Sequence, residues 1–239
     1  MLPVPRRHGA RRTQLFILLV LTLALGCGQG APPPVPEEAP ATTGIEGRVR
    51  WQGPATPSSG IVPEGCGDED PRPVRVGADG GLGDVVAVVP GSVGAAAPPE
   101  LSLEARGCRY SRGGAVVGPN ATLRVSNHDS IVHTFHLRRT DGTSIQNLAA
   151  VPGGPPLRWT LPASGTVLVE SDHFDWMRAT IRIVDGDAWA TSDADGRFAL
   201  PDVAPGLRAV ELSHPAFGTD TRAVTVPPDG PAALYVDYP

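Results

Sequence analysis

The chain has 239 residues, with 25 acidic and 20 basic side chains, all of the latter arginine, and a formal net charge of −5. With no basic stripe to neutralise phosphates, nucleic acid is excluded as a partner. The 29 glycines and 27 prolines interrupt the chain too often for long helices, which points to short strands and turns.

Arg6, Arg7, Arg11 and Arg12 form a basic head before the apolar run LFILLVLTLAL at 15–25. That run is short for a bilayer span and fits the apolar region of an export signal. It ends in Leu25-Gly26-Cys27, with Leu23 and Ala24 in front, which reads as a lipobox. Residues 1–26 are therefore expected to be removed as a signal peptide and Cys27 to carry lipid. Arg11-Arg12 points to twin-arginine export and Gln14 speaks against it, so both export routes stay open. Gly28 lacks the acid that retains lipoproteins at an inner membrane, so the expected place is the cell envelope, periplasmic face or cell surface, with a lean to the outer membrane. The membrane is then a partner through the anchor, and residues 27–43 are a Pro-rich, acidic tether.

Cys66 and Cys108 are the cysteines left for the folded part. In an oxidising compartment an isolated pair is expected to form a disulfide, and two free thiols acting as metal ligands are the rival.

From residue 44 onward, short β-rich runs alternate with turn residues. They fall at 44–51, 84–89, 121–126, 131–137, 157–161, 165–170, 179–184, 187–191, 196–200, 207–212, 221–226 and 232–238. Gly80-Gly81, Asp141-Gly142 and Asp195-Gly196 supply tight turns between them. This spacing predicts an all-β protein built of β-sandwiches, with a seam near 185. Five of the six histidines and the internal methionine, Met177, precede that seam.

The segments NHDSIVHTFH at 127–136 and VESDHFDWM at 169–177 hold two histidines on one strand, a later histidine and a methionine. Those are donors of a copper site, which in its blue form also needs a cysteine thiolate.

Several motifs in order carry a resemblance over nearly all of 44–238. They are GxxGxV at Gly44–Val49, Cys66, GxLxxVVxxV at Gly80–Val89, and Cys-x-Tyr at Cys108–Tyr110. The strand from Asn127 through His133 and His136, Trp176-Met177, and the hairpin Thr191–Leu200 complete the set. Together they resemble bacterial envelope proteins that join a cupredoxin domain to a carboxypeptidase-regulatory-like β-domain. The resemblance implies a cupredoxin-like Greek-key β-sandwich over 74–185. It also implies a smaller transthyretin-like, carboxypeptidase-regulatory-like β-sandwich over 186–239, with 44–73 as an N-terminal strand and connection that packs with the latter. That family's copper loop reads Cys-x-x-His-x-x-Met, and the matching residues here are Ser171, Phe174 and Met177. Only His133 and Met177 carry over, and a serine hydroxyl does not replace a thiolate near neutral pH.

The reading is therefore a non-enzymatic envelope lipoprotein, a cupredoxin-like scaffold without a blue-copper centre that serves as a binding module for an envelope protein or glycan. No cofactor is expected. The alternative is a copper-binding or electron-transfer protein using His133, His173 and Met177, and copper is the metal it would take. A second alternative, a carbohydrate-binding accessory, rests on fold analogy. Ser171-Asp172-His173 holds triad residue types, but contiguous residues do not form a nucleophile–base–orienter chain. Asp193-x-Asp195-Gly196 resembles half a calcium loop and is better read as a hairpin turn.

Overall fold

A computed structural model describes residues 42–53, 63–67 and 74–238. The expected signal peptide 1–26, the lipidation site Cys27 and nearly all of the tether to 43 lie outside the described residues. The described residues form strands and turns without a helix. In chain order the strands are β1 (Gly44–Trp51), β2 (Val86–Val93), β3 (Glu100–Ala105), β4 (Gly114–Val117) and β5 (Thr122–Asn127). They continue with β6 (His133–Arg139), β7 (Ser144–Ala150), β8 (Leu157–Thr160), β9 (Gly165–Glu170) and β10 (Arg178–Ile183). The last five are β11 (Asp187–Thr191), β12 (Arg197–Pro201), β13 (Gly206–His214), β14 (Gly218–Val226) and β15 (Pro231–Tyr238).

The first sandwich packs the sheet β4-β10-β9-β6-β7 against β3-β5-β8. Period-2 burial builds it: Leu123 and Val125 on β5, Phe135 and Leu137 on β6, and Val167 and Val169 on β9 point inward and are sealed. Each such side chain contributes roughly 1.5–3 kcal/mol by leaving water.

The second sandwich packs β12-β1-β15 against β11-β2-β13-β14 around Ile45, Val49, Leu200, Val210, Leu212 and Val236. Strand β1 lies between β12, antiparallel, and β15, parallel. Gly196 closes the hairpin into β12 at φ +75°, and a Cβ there would meet the Val49 carbonyl oxygen at 2.0 Å, so glycine is required.

Strand β2 differs from the sequence expectation. Opening the first domain at 74 assigned 84–89 to it, whereas β2 pairs with β11 and β13 in the second sandwich. The reason is a strand buried on both faces. Val85, Ala87 and Val89 enter the second core, while Val86 and Val88 meet Val116 and Val184 in a small cluster at the seam. A continuous apolar run of this kind carries no alternation to say which core it serves. Strands β3, β4 and β7 lie where no strand was expected. β4 has only four residues, and β7 (SIQNLAA) is a largely exposed edge whose polar side chains hide the pattern.

Candidate functional site: a buried aspartate–histidine–disulfide pole

At one pole of the first sandwich the loop between β5 and β6 folds over Asn127. Its Nδ2 donates to the carbonyls of Ile131 (2.6 Å) and Ala150 (2.8 Å), and its Oδ1 accepts the Asp129 amide at 2.9 Å. That Asx turn holds the Asp129 carboxylate toward the chain at 107–108. Gly107 and Cys108 both adopt left-handed backbone, at φ +60° and +51°. Their consecutive amides turn onto one carboxylate, donating to Oδ1 at 2.7 Å and Oδ2 at 2.9 Å, a small anion-holding concavity.

His133, the first residue of β6, is fully buried, and its Nε2 lies 2.8 Å from Asp129 Oδ2. Burial raises the Asp129 pKa, but the amides of Cys108 and Gly107 and the imidazole of His133 outweigh it and hold the carboxyl below its ordinary value. The Cys108 Sγ stands 3.8 Å from the same Nε2. That sulfur is bonded to Cys66, so the expected disulfide is present, and both cysteines are fully buried. Cys108, Asp129 and His133 place one donor atom each within 4.8 Å of one another. The other ring nitrogen of His133, Nδ1, is buried and has no hydrogen-bond partner.

The loop at 171–177 closes on itself. The Ser171 amide donates to the Met177 carbonyl at 3.0 Å, and the Met177 amide to the Phe174 carbonyl at 3.0 Å. Ser171 Oγ accepts the amides of His173 (3.2 Å) and Phe174 (3.3 Å). Trp176 Nε1 donates to the Cys108 carbonyl at 2.9 Å, tying this loop to the disulfide. Met177 is buried in the core shared with Phe135 and Val169. His173 is exposed and stands outside the Cys108–Asp129–His133 group. Phe174 is the ring neighbour of both histidines, its centroid 5.8 Å from that of His133 and 6.5 Å from that of His173. Of the expected set, His133 and Met177 are thus buried in this half of the molecule, and His173 faces solvent.

Copper tests poorly against these residues. The unpartnered Nδ1 of His133 and the thioether of Met177 are suitable donors, but Ser171 offers an alcohol already engaged by two amides, and Phe174 offers no lone pair. The Cys108 sulfur approaches the other ring nitrogen, Nε2, and is held in a disulfide.

Two arrangements were not read from the sequence. One is the Asp129–His133 pair. The other lies on the outer face of the β7-β6-β9 sheet, where His136 Nδ1 is 2.8 Å from Asp172 Oδ1 and Nε2 is 2.8 Å from Ser144 Oγ. Asn147 Nδ2 also donates to Asp172, and Arg138 reaches His136 Nδ1 at 3.0 Å. The His136 and Asn147 hydrogen bonds, the largest influences, hold Asp172 below the ordinary carboxylate pKa. The connectivity is that of a Ser–His–acid chain, yet Arg138 competes for the nitrogen that the acid should orient.

Neither a protein-family model nor a curated protein matches the chain. Among solved structures, a purple cupredoxin from Nitrosopumilus maritimus is similar at 14% identity, over 35% of this chain and 98% of that one, with a TM-score of 0.30. A reduced amicyanin variant is similar at 13% identity over 41% and 98%, with a TM-score of 0.32. A copper-containing nitrite reductase from Thermus scotoductus SA-01 is similar at 13% identity, over 36% of this chain and 22% of that one, with a TM-score of 0.30. Similarity this low says nothing about ligand or activity. The described residues form an all-β protein of two sandwiches, with a Cys–Asp–His group in the first whose cysteine and histidine are buried.

Proposed function

We propose that the protein is a non-enzymatic, lipid-anchored envelope protein whose first sandwich is a cupredoxin-like scaffold without a blue-copper centre. In this reading the second sandwich is a carboxypeptidase-regulatory-like β-domain, and the pair acts as a binding module for a protein or glycan of the envelope. One observation carries it: the oxygen of Ser171, the residue that the sequence resemblance matches to the copper thiolate, is committed to the amides of His173 and Phe174, where it fastens the loop. Calorimetric titration of Cu(II) into the purified, disulfide-bonded chain tests it. No stoichiometric uptake at micromolar metal is expected, and uptake of one equivalent that disappears in His133→Ala would overturn it.

A second reading has an observation of its own. The buried, unpartnered Nδ1 of His133 supports copper binding with Met177 for storage or delivery, because imidazole and thioether both suit copper. The same titration separates the two readings.

A further inference from the structure

We propose that the Cys66–Cys108 disulfide masks a zinc site, which its reduction opens, with Cys66, Cys108, His133 Nε2 and Asp129 Oδ2 as the four ligands. The inference is independent of whether copper binds at Nδ1, since it uses the other side of the His133 ring and the other oxidation state of the cysteines.

The geometry is close to what zinc needs. Tetrahedral zinc holds sulfur at about 2.3 Å and imidazole nitrogen at about 2.0–2.1 Å, which sets the two donors about 3.6 Å apart. Cys108 Sγ and His133 Nε2 are 3.8 Å apart in the oxidised protein. Asp129 Oδ2 already lies 2.8 Å from that nitrogen, and the three donors sit within 4.8 Å of one another. Cys66 stands outside that group in the oxidised protein, and its sulfur, released from Cys108 on reduction, is the ligand that must swing in to complete the set. The carboxylate is preset, because the Gly107 amide holds Oδ1 and the Cys108 amide holds Oδ2 beside the His133 ring, leaving Oδ2 its second lone pair for a metal. Two thiolates, an imidazole and a carboxylate suit zinc in type and number.

Charge favours the exchange. With a neutral imidazole, the oxidised pole has a net charge of minus one, from Asp129. Zinc with two thiolates and the same carboxylate also sums to minus one, so filling the site adds no net charge to a buried place. Two thiolates without metal would add two negative charges there, which burial opposes. The reduced pole is therefore expected to hold either two protonated thiols or the metal.

A dithiol donates two electrons and two protons, breaking the Cys66–Cys108 bond and becoming a disulfide itself. Zinc then displaces both thiol protons to solvent, and the His133 proton moves from Nε2 to Nδ1. The ring has one unpartnered nitrogen before and after.

The test compares the disulfide-bonded chain with the same chain reduced anaerobically by a phosphine, which yields the same two thiols. Co(II) is the spectroscopic probe and Zn(II) the competitor. The expected result is one Co(II) per reduced chain, with thiolate-to-cobalt charge transfer and tetrahedral ligand-field bands, displaced by one Zn(II), and no uptake by the oxidised chain. His133→Gln and Asp129→Asn should each weaken the reduced site at least about tenfold. Near-ultraviolet circular dichroism of every sample reports whether the fold persists. The proposal is overturned if the reduced chain takes up no more cobalt than the oxidised one. It is also overturned if both ligand variants keep the original affinity, or if reduction unfolds the chain and zinc does not restore it.

Discussion

His133 and His214 are both sealed from solvent, at 0% and 2% exposure, and the molecule treats them in opposite ways. His214, at the end of β13 beside the seam, stacks on Phe217 at 4.8 Å and accepts the Ala216 amide at Nδ1. Burial alone pushes its pKa down to about 4. His133 begins β6 with a carboxylate 2.8 Å away, a disulfide sulfur next to it and one nitrogen without a partner. The second sandwich thus uses its histidine as a packing residue. The first places its histidine in a polar cluster whose components are typical metal donors. A buried imidazole becomes chemically informative through its neighbours, not through its burial.

The largest expected effect concerns the disulfide that caps the His133 pole. Replacing Cys108 with serine opens a closure of 42 residues in sequence separation. It should lower the unfolding free energy by about 3–4 kcal/mol in urea titrations. A loss below about 1 kcal/mol would mean that the pole stands without its staple.

Acid should separate the two histidine regions by pH window. His214 has a folded pKa of about 4 against an ordinary value of 6.5, so the unfolded chain binds the extra proton between them. Its contribution is fully present above the unfolded value and is lost as pH falls toward the folded one, a drop of about 3 kcal/mol. His214→Phe should flatten that part of the stability–pH curve, and an unchanged curve would contradict the account. Asp129 is also lowered in the folded state, from an ordinary value of 3.8. Its contribution is present above that value and is lost only in the more acid range as pH falls through the folded pKa.

Asp129→Asn keeps the shape of the pole but loses charge and one acceptor for the Gly107 and Cys108 amides. A cost of about 1–3 kcal/mol is expected, read by the same urea titration. The smallest effect is expected at the exposed face, where His136→Ala removes contacts to Asp172 and Ser144. There a change under about 1 kcal/mol is predicted, because solvent screens such pairs.

Much of the fold was legible because β-rich runs are bounded by turn residues and several alternate inward and outward side chains. The expected strand 165–170 coincides with β9, whose valines alternate inward, and 187–191 coincides with β11. Legibility failed where alternation did. Strand β2 is apolar on both faces, β4 is a fragment, and β7 is a polar edge. At the site, the disulfide pairing follows from residue type. The role of Asp129 does not. It depends on the left-handed backbone at Gly107 and Cys108 and on the Asn127 turn, which only the closed fold brings together. His136, Ser144 and Asp172 come from three strands or their ends, and no sequence spacing announces their contact.

The central claim is that no thiolate is available to copper, because the cysteine sulfur at this pole is held in the Cys66–Cys108 disulfide and Ser171 stands where the proposed reading expects the thiolate. The most direct measurement is the visible absorption spectrum of the disulfide-bonded chain after addition of one equivalent of Cu(II). The account predicts no intense thiolate-to-copper band, with or without weak ligand-field absorption. An intense band would mean that a thiolate reaches the metal after all, and the assignment of Ser171 to that position would be wrong.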